Sequence, residues 1–258
     1  MLTHKINTLF LLLVLVLLFV LNFGMEIKWW YFVIPILFWL VIAVMGSGLI
    51  RMNYHLKAFS SNKFLGGKKI AITFDDGPNP YTERVLDVLK ANNIQATFFC
   101  IGSQIEKYPE IFKRIIAENH IVGNHSYSHS NKIGLFSKAE MISEIERTDE
   151  IIKRYSGKKS NYYRPPFGVT NPNIAKALKF TKHKVIGWNI RSLDTKIKSG
   201  EKILKRIKKR LSPGSIVLLH DTSEKTVRVL EQLLVILSEN QYEAVTVETL
   251  LKIPAYEK

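Results

Sequence analysis

The sequence contains only one cysteine among its 258 residues, so no disulfide can form within the chain. This residue, Cys100, lies in the apolar run ATFFCIG, where nothing in the neighbouring sequence would lower the pKa of its thiol. We therefore predict a buried core thiol rather than a catalytic nucleophile. Cysteine usage consequently gives no information about the cellular compartment.

Acidic residues are also scarce, since 22 Asp and Glu stand against 37 Lys and Arg and give a formal net charge of +15. Residues 58–258 alone hold 33 basic and 21 acidic side chains, a net charge of +12. Such a surface attracts polyanions, namely anionic lipid headgroups, teichoic-acid-like wall polymers or nucleic acid. The densest basic cluster, residues 202–210 (KILKRIKKR), lacks aromatic residues, and its apolar residues recur at helical spacing. It predicts an amphipathic helix with a solvated basic face and no nucleic-acid partner.

Charge is almost absent from the first fifty residues. Residues 6–23 are nearly all apolar, and residues 29–50 hold no charged side chain and open with three aromatic residues (WWY). Each run is long enough to cross a bilayer core of about 30 Å, and the aromatic residues suit the headgroup region. Pro35 within the second run is tolerated in a membrane helix. We predict a membrane anchor at residues 1–57, built as a hairpin of two transmembrane helices.

A cleaved signal peptide is the alternative for the first run, but no small-x-small cleavage site follows it. Two spans place the N-terminus and the main domain on one side of the membrane. The positive-inside rule then favours the cytoplasm for that side, because the basic residues flanking the two spans are Lys5, Arg51 and Lys57. A single span would place the domain outside, and the sequence leaves this topology open.

The remainder of the chain alternates between short β-rich runs and amphipathic helical patterns. After a short polar linker at residues 58–69, runs rich in Val, Ile and Phe predict about seven strands: 70–74, 96–101, 120–123, 162–163, 185–190, 215–219 and 242–247. Helical patterns lie between most of them: 81–91, 109–119, 137–155, 174–180 and 225–240. This alternation predicts an α/β domain over residues 70–258, whose parallel sheet is either open or closed into a barrel with helices outside.

Unusual polar residues follow five of the predicted strands. They are Asp75, Asp76, His125, His129, Arg164, Asp194, His220 and Asp221. The C-terminal ends of parallel strands meet at one rim, where sheets and barrels of this class build their sites. We therefore expect these side chains to lie together, because turn chemistry does not account for so many strand ends at once.

A carboxylate and two histidines at His-x-x-x-His spacing are suitable ligands for a divalent transition ion, zinc first, with cobalt or another ion as alternatives. On one helical turn His125 and His129 would project from the same face. The alternative is that they are loop histidines that donate to the backbone. A bound ion would neutralise one of the adjacent Asp75 and Asp76 and leave the other ionised as a base.

A cation-bound water, a carboxylate base and a histidine acid together indicate hydrolysis of amide or ester bonds. Arg164 would contact the base carboxylate in bidentate fashion, unless it is a surface arginine before the Pro-Pro turn. His220 would protonate the leaving group, unless it or Asp221 is a capping residue at the strand end.

Five segments, TFDDGP, HSYSH, RPPFG, WNIRSLD and LLH, resemble the ordered motifs of the polysaccharide deacetylase family, the NodB-type catalytic domain of carbohydrate esterase family 4. The resemblance covers roughly residues 68–250, and the first two motifs are highly specific. It implies a distorted parallel (β/α) barrel and metal-dependent removal of N-acetyl groups from amino-sugar polymers, or of O-acetyl groups from xylan.

The resemblance also implies a role for each matched residue in the first three motifs. Asp75 would be the general base, and Arg164 would pair with it. Asp76, His125 and His129 would bind the metal.

The remaining roles implied by the resemblance concern support and substrate contact. Ser126 would brace the loop of the second motif, and the backbone N–H of Phe167 would help to hold the oxyanion. Leu218 would line the acetyl pocket. His220 would be the acid, tuned by Asp194.

The fourth motif departs from the family pattern, which often reads Asp-x-x-Asp-Trp. Arg191 and Thr195 occupy its outer places in this chain. Loss of the tryptophan removes a hydrophobic wall from the acetyl pocket, and the charge of Arg191 is expected to lower the pKa of His220. Neither departure affects a metal ligand, so we still expect activity.

Three functions follow from these features. The first is a membrane-anchored hydrolase of amide bonds that deacetylates cell-envelope polysaccharide, above all N-acetylglucosamine of peptidoglycan, with a chitin-like polymer as the related substrate. The second is a deacylase or deformylase of a lipid-linked amino sugar, and the third is a non-catalytic wall-binding module. A wall substrate would place the domain outside the cell membrane. No obligate protein partner is evident.

Overall fold

The computed structural model describes residues 3–64 and 66–257, and it begins with two long apolar helices. These helices are α1 (His4–Leu21) and α2 (Trp30–Gly48). They pack against each other, and the indole N–H of Trp39 donates to the hydroxyl of Thr8 at 3.1 Å. By length and composition each could cross a membrane. Their bounds agree with the predicted runs to within two residues.

The described part of the remaining chain alternates between strands and helices. The strands are β1 (Ala58–Phe59), β2 (Lys69–Asp75), β3 (Thr97–Cys100), β4 (Ile121–Asn124), β5 (Tyr162–Tyr163), β6 (Lys184–Ile186), β7 (Ile190–Arg191), β8 (Ile216–His220) and β9 (Glu243–Val245). The helices are α3 (Pro80–Ala91), α4 (Gly102–Lys107), α5 (Pro109–Ala117), α6 (Lys138–Ser156), α7 (Pro172–Thr181), α8 (Gly200–Lys208), α9 (Glu224–Glu239) and α10 (Val247–Leu251).

All strand pairs of the sheet are parallel, in the order β1-β6-β5-β4-β3-β2-β8-β7, with β9 added beside β2. The sheet curls into a half-barrel, which confirms the predicted distorted (β/α) barrel. Within the described ranges β1 and β7 do not pair, so the barrel is open between these two edges. The run predicted as one strand at 185–190 is two strands, because the chain crosses this opening between β6 and β7.

Strand β1 comes from the segment predicted as a linker. Ala58 and Phe59 pair with Val185 and Ile186 of β6, and Asn62 donates its backbone N–H to the carbonyl of Gly214 at 2.9 Å. Two residues are too few to show a strand pattern in the sequence. The domain boundaries remain a prediction, but Ala58 and Phe59 are part of the sheet.

The two faces of β2 enter different cores because side chains alternate along a strand. Ile70, Ile72 and Phe74 pack among the outer helices, whereas Ala71 lies in the barrel interior. Asp75 has the same parity as Ala71, so the alternation turns its side chain toward the barrel interior at the rim.

Two predictions from composition are confirmed. Cys100 is fully buried in the core between sheet and helices, and burial raises the pKa of its thiol. Helix α8 buries Ile203, Leu204 and Ile207 and exposes its three lysines to solvent.

Candidate active site

The two adjacent aspartates lie where β2 ends. Asp75 is 3% exposed and lies in register with His220 on the neighbouring strand β8. Asp76 adopts a left-handed backbone conformation with φ of 79°, which turns the chain sharply after the strand. Aspartate is among the few residues that enter this region readily. The adjacent carboxylates are therefore directed into different parts of the site.

Asp76, His125 and His129 bring one ligand atom each to within 4.8 Å of one another. The Oδ1 atom of Asp76 lies 3.4 Å from Nε2 of His125 and 3.3 Å from Nε2 of His129. Two ligands held about 2.0–2.1 Å from a tetrahedral zinc ion lie about 3.3 Å apart, so the separations fit a shared ion. The same Oδ1 atom is buried and has no hydrogen-bond partner among the described residues, which is expected of a metal ligand.

The ring of His125 is oriented by the main chain. Its Nδ1 atom lies 2.7 Å from the carbonyl oxygen of Arg164. A carbonyl oxygen only accepts hydrogen bonds, so Nδ1 carries the proton and Nε2 presents its lone pair toward Asp76. This is the tautomer that a metal ligand requires.

The two histidines lie in a loop, so the idea that they share a helical turn is wrong. Ser126 and His129 both have positive φ values, 63° and 47°, which no helix allows. The hydroxyl of Ser126 accepts the backbone N–H of His129 at 3.2 Å, and Ser126 is fully buried. This contact closes the loop and brings the second histidine back toward Asp76.

Two further residues support this loop, and sequence reasoning missed both. The side-chain oxygen of Asn124 accepts the backbone N–H of Ser126 at 2.9 Å. Glu144 on α6 accepts the backbone N–H groups of Tyr127 and Ser128 at 3.0 and 2.8 Å. Asn124 directly precedes the HSYSH segment, so its position could have indicated a role in this loop. Nothing in the local sequence connects Glu144 to the loop.

Arg164 is fully buried, which excludes the surface arginine considered from the sequence. Its Nη1 donates to Oδ1 of Asp75 at 2.6 Å and to the hydroxyl of Thr73 at 2.8 Å. The remaining nitrogens donate to the carbonyls of Ile186 and Gly187. The expected bidentate contact is therefore wrong, since one nitrogen reaches the carboxylate and the others bind the backbone.

The electrostatics of the rim favour an ionised Asp76. Burial by itself would raise the pKa of this carboxyl group. The neighbouring imidazole of His125, together with the rings of His220 and His129, outweighs burial and lowers the pKa to about 2. Burial and the neighbouring imidazole of His125 lower the pKa of His129, which favours the neutral ring that a metal ligand needs.

His220 forms a hydrogen-bonded pair with Asp194. Its Nδ1 lies 2.8 Å from Oδ1 of Asp194, and its backbone N–H donates to Oδ2 at 2.7 Å. Burial would lower the pKa of His220, but Asp194, together with the charges of Asp75 and Asp76, raises it to about 9. The carboxylates therefore dominate the pKa of His220, and the expected effect of Arg191 remains a prediction.

Neither His220 nor Asp221 caps the following helix, since Ser223 is the N-cap of α9. Asp221 is 1% exposed and accepts the hydroxyl of Thr82 at 2.6 Å. Burial raises the pKa of Asp221 to about 7. Its carboxylate also occupies the space where Gly77 would carry a Cβ atom, which explains the glycine of the DDG segment.

The loop after Arg164 covers the opposite side of the rim. Phe167 has φ of 59°, is 45% exposed, and its ring lies 4.6 Å from that of His129 between centroids. Leu218 is buried in β8, in the same apolar cluster as Trp188. Thr195 is exposed, and the Trp188 ring lies against Gly168.

The chain matches the polysaccharide deacetylase family over residues 63–186. A peptidoglycan-N-acetylglucosamine deacetylase of Bacillus cereus is 37% identical over 60% of this chain and 56% of its own length. The Bacillus subtilis peptidoglycan-N-acetylmuramic acid deacetylases PdaC and PdaA are 35% and 32% identical over 71% of this chain. The chain covers 72% of PdaA. It spans only about half of the Bacillus cereus enzyme, 56%, and 38% of PdaC.

Solved structures give the same result for the fold. A peptidoglycan N-acetylglucosamine deacetylase aligns over 77% of this chain and 94% of its own, with a TM-score of 0.72 and 31% identity. The chitin deacetylase of Colletotrichum lindemuthianum aligns over 78% of this chain and 95% of its own, with a TM-score of 0.72 and 28% identity. A pseudoenzyme of carbohydrate esterase family 4 from Bacillus anthracis aligns over 76% of this chain and 69% of its own, with a TM-score of 0.70 and 26% identity.

Proposed function

The chain belongs to the polysaccharide deacetylase family, and we propose on that basis that it is a membrane-anchored hydrolase of amide bonds in cell-envelope polysaccharide. The proposed substrate is N-acetylglucosamine of peptidoglycan, and the proposed products are acetate and the free amine. The observation that carries this proposal is the cluster of Asp76, His125 and His129 beside two hydrogen-bonded pairs, Asp75 with Arg164 and His220 with Asp194.

A divalent cation is part of the proposal, and Asp76, His125 and His129 would hold it. Zinc suits a site of two imidazoles and one carboxylate, and cobalt or another transition ion would be accepted by the same ligands. When bound, the ion supplies Lewis-acid chemistry, polarising water and the acetyl carbonyl group.

Asp75 would act as the general base. Arg164 occupies its Oδ1 atom, and Oδ2 lies 3.8 Å from Nε2 of His125, on the side of the proposed metal ligands. A water molecule between the two aspartates would therefore meet a free carboxylate oxygen at the correct place to accept its proton.

His220 would act as the general acid. Because Asp194 binds Nδ1, the proton available for transfer is the one on Nε2. The leaving nitrogen takes this proton as the carbon–nitrogen bond breaks, so that an amine departs rather than an amide anion. The raised pKa of His220, about 9, keeps the ring protonated at neutral pH.

The remaining residues would bind the acetyl group. The backbone N–H of Phe167 would donate to the oxyanion as the tetrahedral intermediate forms. Leu218, with Trp188 in the same cluster, would form the apolar surface for the acetyl methyl group.

The experiment uses the full-length protein in lipid nanodiscs with added zinc or cobalt. Acetate release is measured from peptidoglycan, from chitin oligomers and from a lipid-linked N-acetylglucosamine. We expect release from peptidoglycan, abolished by chelation and restored by metal. Absence of release from all three substrates would contradict the proposal and favour a non-catalytic wall-binding module.

Two substitutions separate the roles of the carboxylate and the ligands. Asp75→Asn should reduce acetate release by at least about 100-fold, the usual range for loss of a general base, with the metal still bound. His125→Ala should lose the metal, measured by elemental analysis. Metal loss in Asp75→Asn would show that the two aspartates have been assigned in the wrong order.

Deacylation of a lipid-linked amino sugar is the second candidate function. The observation that favours it is the apolar hairpin, which would hold the site near the membrane surface. A reporter fused to the C-terminus tells which side of the membrane the domain occupies. A cytoplasmic domain would favour the lipid-linked precursor, and an extracytoplasmic domain would favour the assembled wall.

A further inference from the structure

The apolar hairpin is packed on the barrel and is not separated from it by a free linker. Ile50, just after α2, is 4% exposed and belongs to the apolar cluster of the barrel interior with Trp188. Arg51 points its guanidinium toward the carbonyl of Asn189 at 3.5 Å. The chain then enters β1, so the hairpin and the sheet are joined by buried residues.

Both open ends of the hairpin contact the same short segment, residues 53–55. The backbone N–H of His4 donates to the carbonyl of Tyr54 at 2.9 Å, and the side chain of Asn7 donates to the Tyr54 hydroxyl at 2.7 Å. Tyr54 is 2% exposed, and Gly46 of α2 packs directly on its ring. A Cβ atom at Gly46 would lie 2.3 Å from the Tyr54 ring, so only glycine allows this approach.

The C-terminal end of α2 also contacts the active-site loop. The last carbonyl groups of a helix have no partner within the helix and carry partial negative charge, so they attract N–H donors. The backbone N–H of Thr170 donates to the carbonyl of Ser47 at 2.9 Å, and its hydroxyl donates to that of Gly46 at 3.4 Å. Thr170 is 2% exposed, so these contacts are shielded from water.

The loop held in this way carries Phe167. Its φ of 59° is an uncommon conformation for a residue with a Cβ atom, and such conformations persist only where the surroundings impose them. On one side Gly168, with φ of 72°, lies against the Trp188 ring. On the other side Thr170 is attached to α2. The backbone of Phe167 is therefore fixed between the barrel core and the hairpin.

We propose that the carbonyl end of α2 is a positioning element of the active site. By binding Thr170 it holds residues 165–171 in the conformation that aims the Phe167 N–H at the reaction centre. The hairpin then contributes to turnover in addition to anchoring the chain. This inference rests on the proposed deacetylase function and names an intramolecular contact on which that function depends.

Two glycines near the end of α2 provide a matched test. A Cβ atom at Gly46 would collide with Tyr54, whereas a Cβ atom at Gly48 would meet nothing within 4 Å. Gly46→Ala should displace the end of α2 from the barrel, and Gly48→Ala adds the same methyl group without that effect. Both variants are prepared as the full chain in nanodiscs.

Amide hydrogen exchange of the peptide covering residues 165–171 reports the contact without reference to activity. We expect faster exchange in Gly46→Ala than in the parent protein, and unchanged exchange in Gly48→Ala. Equal exchange in all three proteins would overturn the inference even if the parent is an active deacetylase. A parent protein without activity would instead refute the proposed function, and the exchange result would still be informative.

Kinetics test the link to turnover. Loss of one oxyanion donor lowers kcat by about 100- to 1,000-fold, so partial misplacement in Gly46→Ala should lower kcat by about tenfold or more. KM and metal content should not change, because the metal ligands lie on other loops. An equal loss of kcat in Gly48→Ala, or loss of metal in Gly46→Ala, would show general damage and contradict a positioning role.

Thr170 gives an independent test from the other side of the contact. Thr170→Pro removes the N–H that reaches Ser47, and Val169, with φ of −75° and ψ of 132°, already has the backbone that precedes a proline. Thr170→Ala keeps the N–H and removes only the hydroxyl. We expect kcat to fall in the first variant and to stay within about threefold of the parent in the second, since the longer hydroxyl contact is worth little. Retention of kcat in Thr170→Pro would overturn the inference.

Discussion

Arg164 shows how a single residue connects the core of this protein to its site. The guanidinium is fully buried above the ring of Phe99, 3.9 Å from the ring centroid, and satisfies two backbone carbonyls as well as Asp75. A buried charge of this kind is tolerated because each of the three guanidinium nitrogens donates to an acceptor. Arg164 contacts only Oδ1 of Asp75, so Oδ2 is available for the role proposed for this residue.

Removal of Arg164 should destabilise the fold because it leaves Asp75 buried without its partner. Arg164→Met should lower the free energy of unfolding by about 3–5 kcal/mol, measured by chemical denaturation. The double variant Asp75→Asn/Arg164→Met should recover part of this loss, since no charge is then buried. Arg228→Met, at an exposed position, is the control. A double variant no more stable than Arg164→Met would rule out the uncompensated carboxylate as the cause.

The pH dependence of turnover should report the pair of His220 and Asp194. His220 must be protonated to act as an acid, so kcat/KM falls as the pH rises through its pKa, about 9. A bound cation adds positive charge and lowers this pKa, so we expect the alkaline limb at or below pH 9. In Asp194→Asn the main cause of the raised pKa of His220 is removed, while burial still lowers that pKa. The alkaline limb of the kcat/KM profile should therefore move toward or below 6.5, the ordinary pKa of histidine. An unchanged limb would exclude His220 as the acid.

At the residue scale the sequence predicts which side chains meet but not how they meet. The positions of Asp75, Asp76, His125, Arg164, Asp194 and His220 at strand ends predict their common rim, because parallel strands end together. The single contact between Arg164 and Asp75 depends on the carbonyls of Ile186 and Gly187, which come from a distant strand. No local pattern encodes such a contact.

At the level of elements, helix α6 supports the loop that carries the two histidines. Glu144 accepts two backbone N–H groups and the hydroxyl of Ser128 from this loop. Glu144 therefore satisfies two backbone N–H groups that have no partner in a helix or strand. The helix itself begins with a capping box formed by Ser137 and Glu140, which fixes its start relative to the loop.

Loss of this support should weaken metal binding without removing any ligand. Glu144→Ala should raise the dissociation constant for zinc by about 10- to 100-fold, the usual effect of losing a residue that orients metal ligands. Glu150→Ala, an exposed position of the same helix, is the control. Zinc affinity is measured by competition with a chelator. Equal affinities in the two variants would show that the loop holds its shape without α6.

Elements with strong periodicity are those that sequence reasoning predicts well. Helices α3, α6 and α9 match their predicted bounds closely, since each has a polar N-cap and a long apolar face. The short helix α4 and the strand β1 were not predicted. Each is too brief to show a period, and β1 forms only because β6 offers an edge to pair with.

The whole molecule carries a net charge of +15, and +12 of this lies after the hairpin and Lys57. A basic surface raises the local concentration of an anionic polymer and the rate of encounter with it. No single residue accounts for this effect, so it is tested with salt rather than by substitution.

Added salt should therefore change KM for anionic wall material but not KM for neutral chitin oligomers. Between about 0.15 M and 1 M salt the screening length falls from about 8 Å to about 3 Å, so KM for wall material bearing anionic polymers should rise. KM for neutral chitin oligomers should stay constant, which provides the control. A parallel rise for both substrates would show that salt acts on the enzyme and not on encounter.

The short distance in sequence between α2, which ends at Gly48, and β1, which begins at Ala58, also has a consequence for reach. Ile50, Tyr54 and Ala58 are buried and Phe59 pairs in the sheet, so no long free linker separates the hairpin from the catalytic domain. An enzyme fixed in this way would work at one height above the lipid surface. Glycan strands nearest that surface would be converted and outer ones would be spared, so deacetylation would be layered by depth in the envelope.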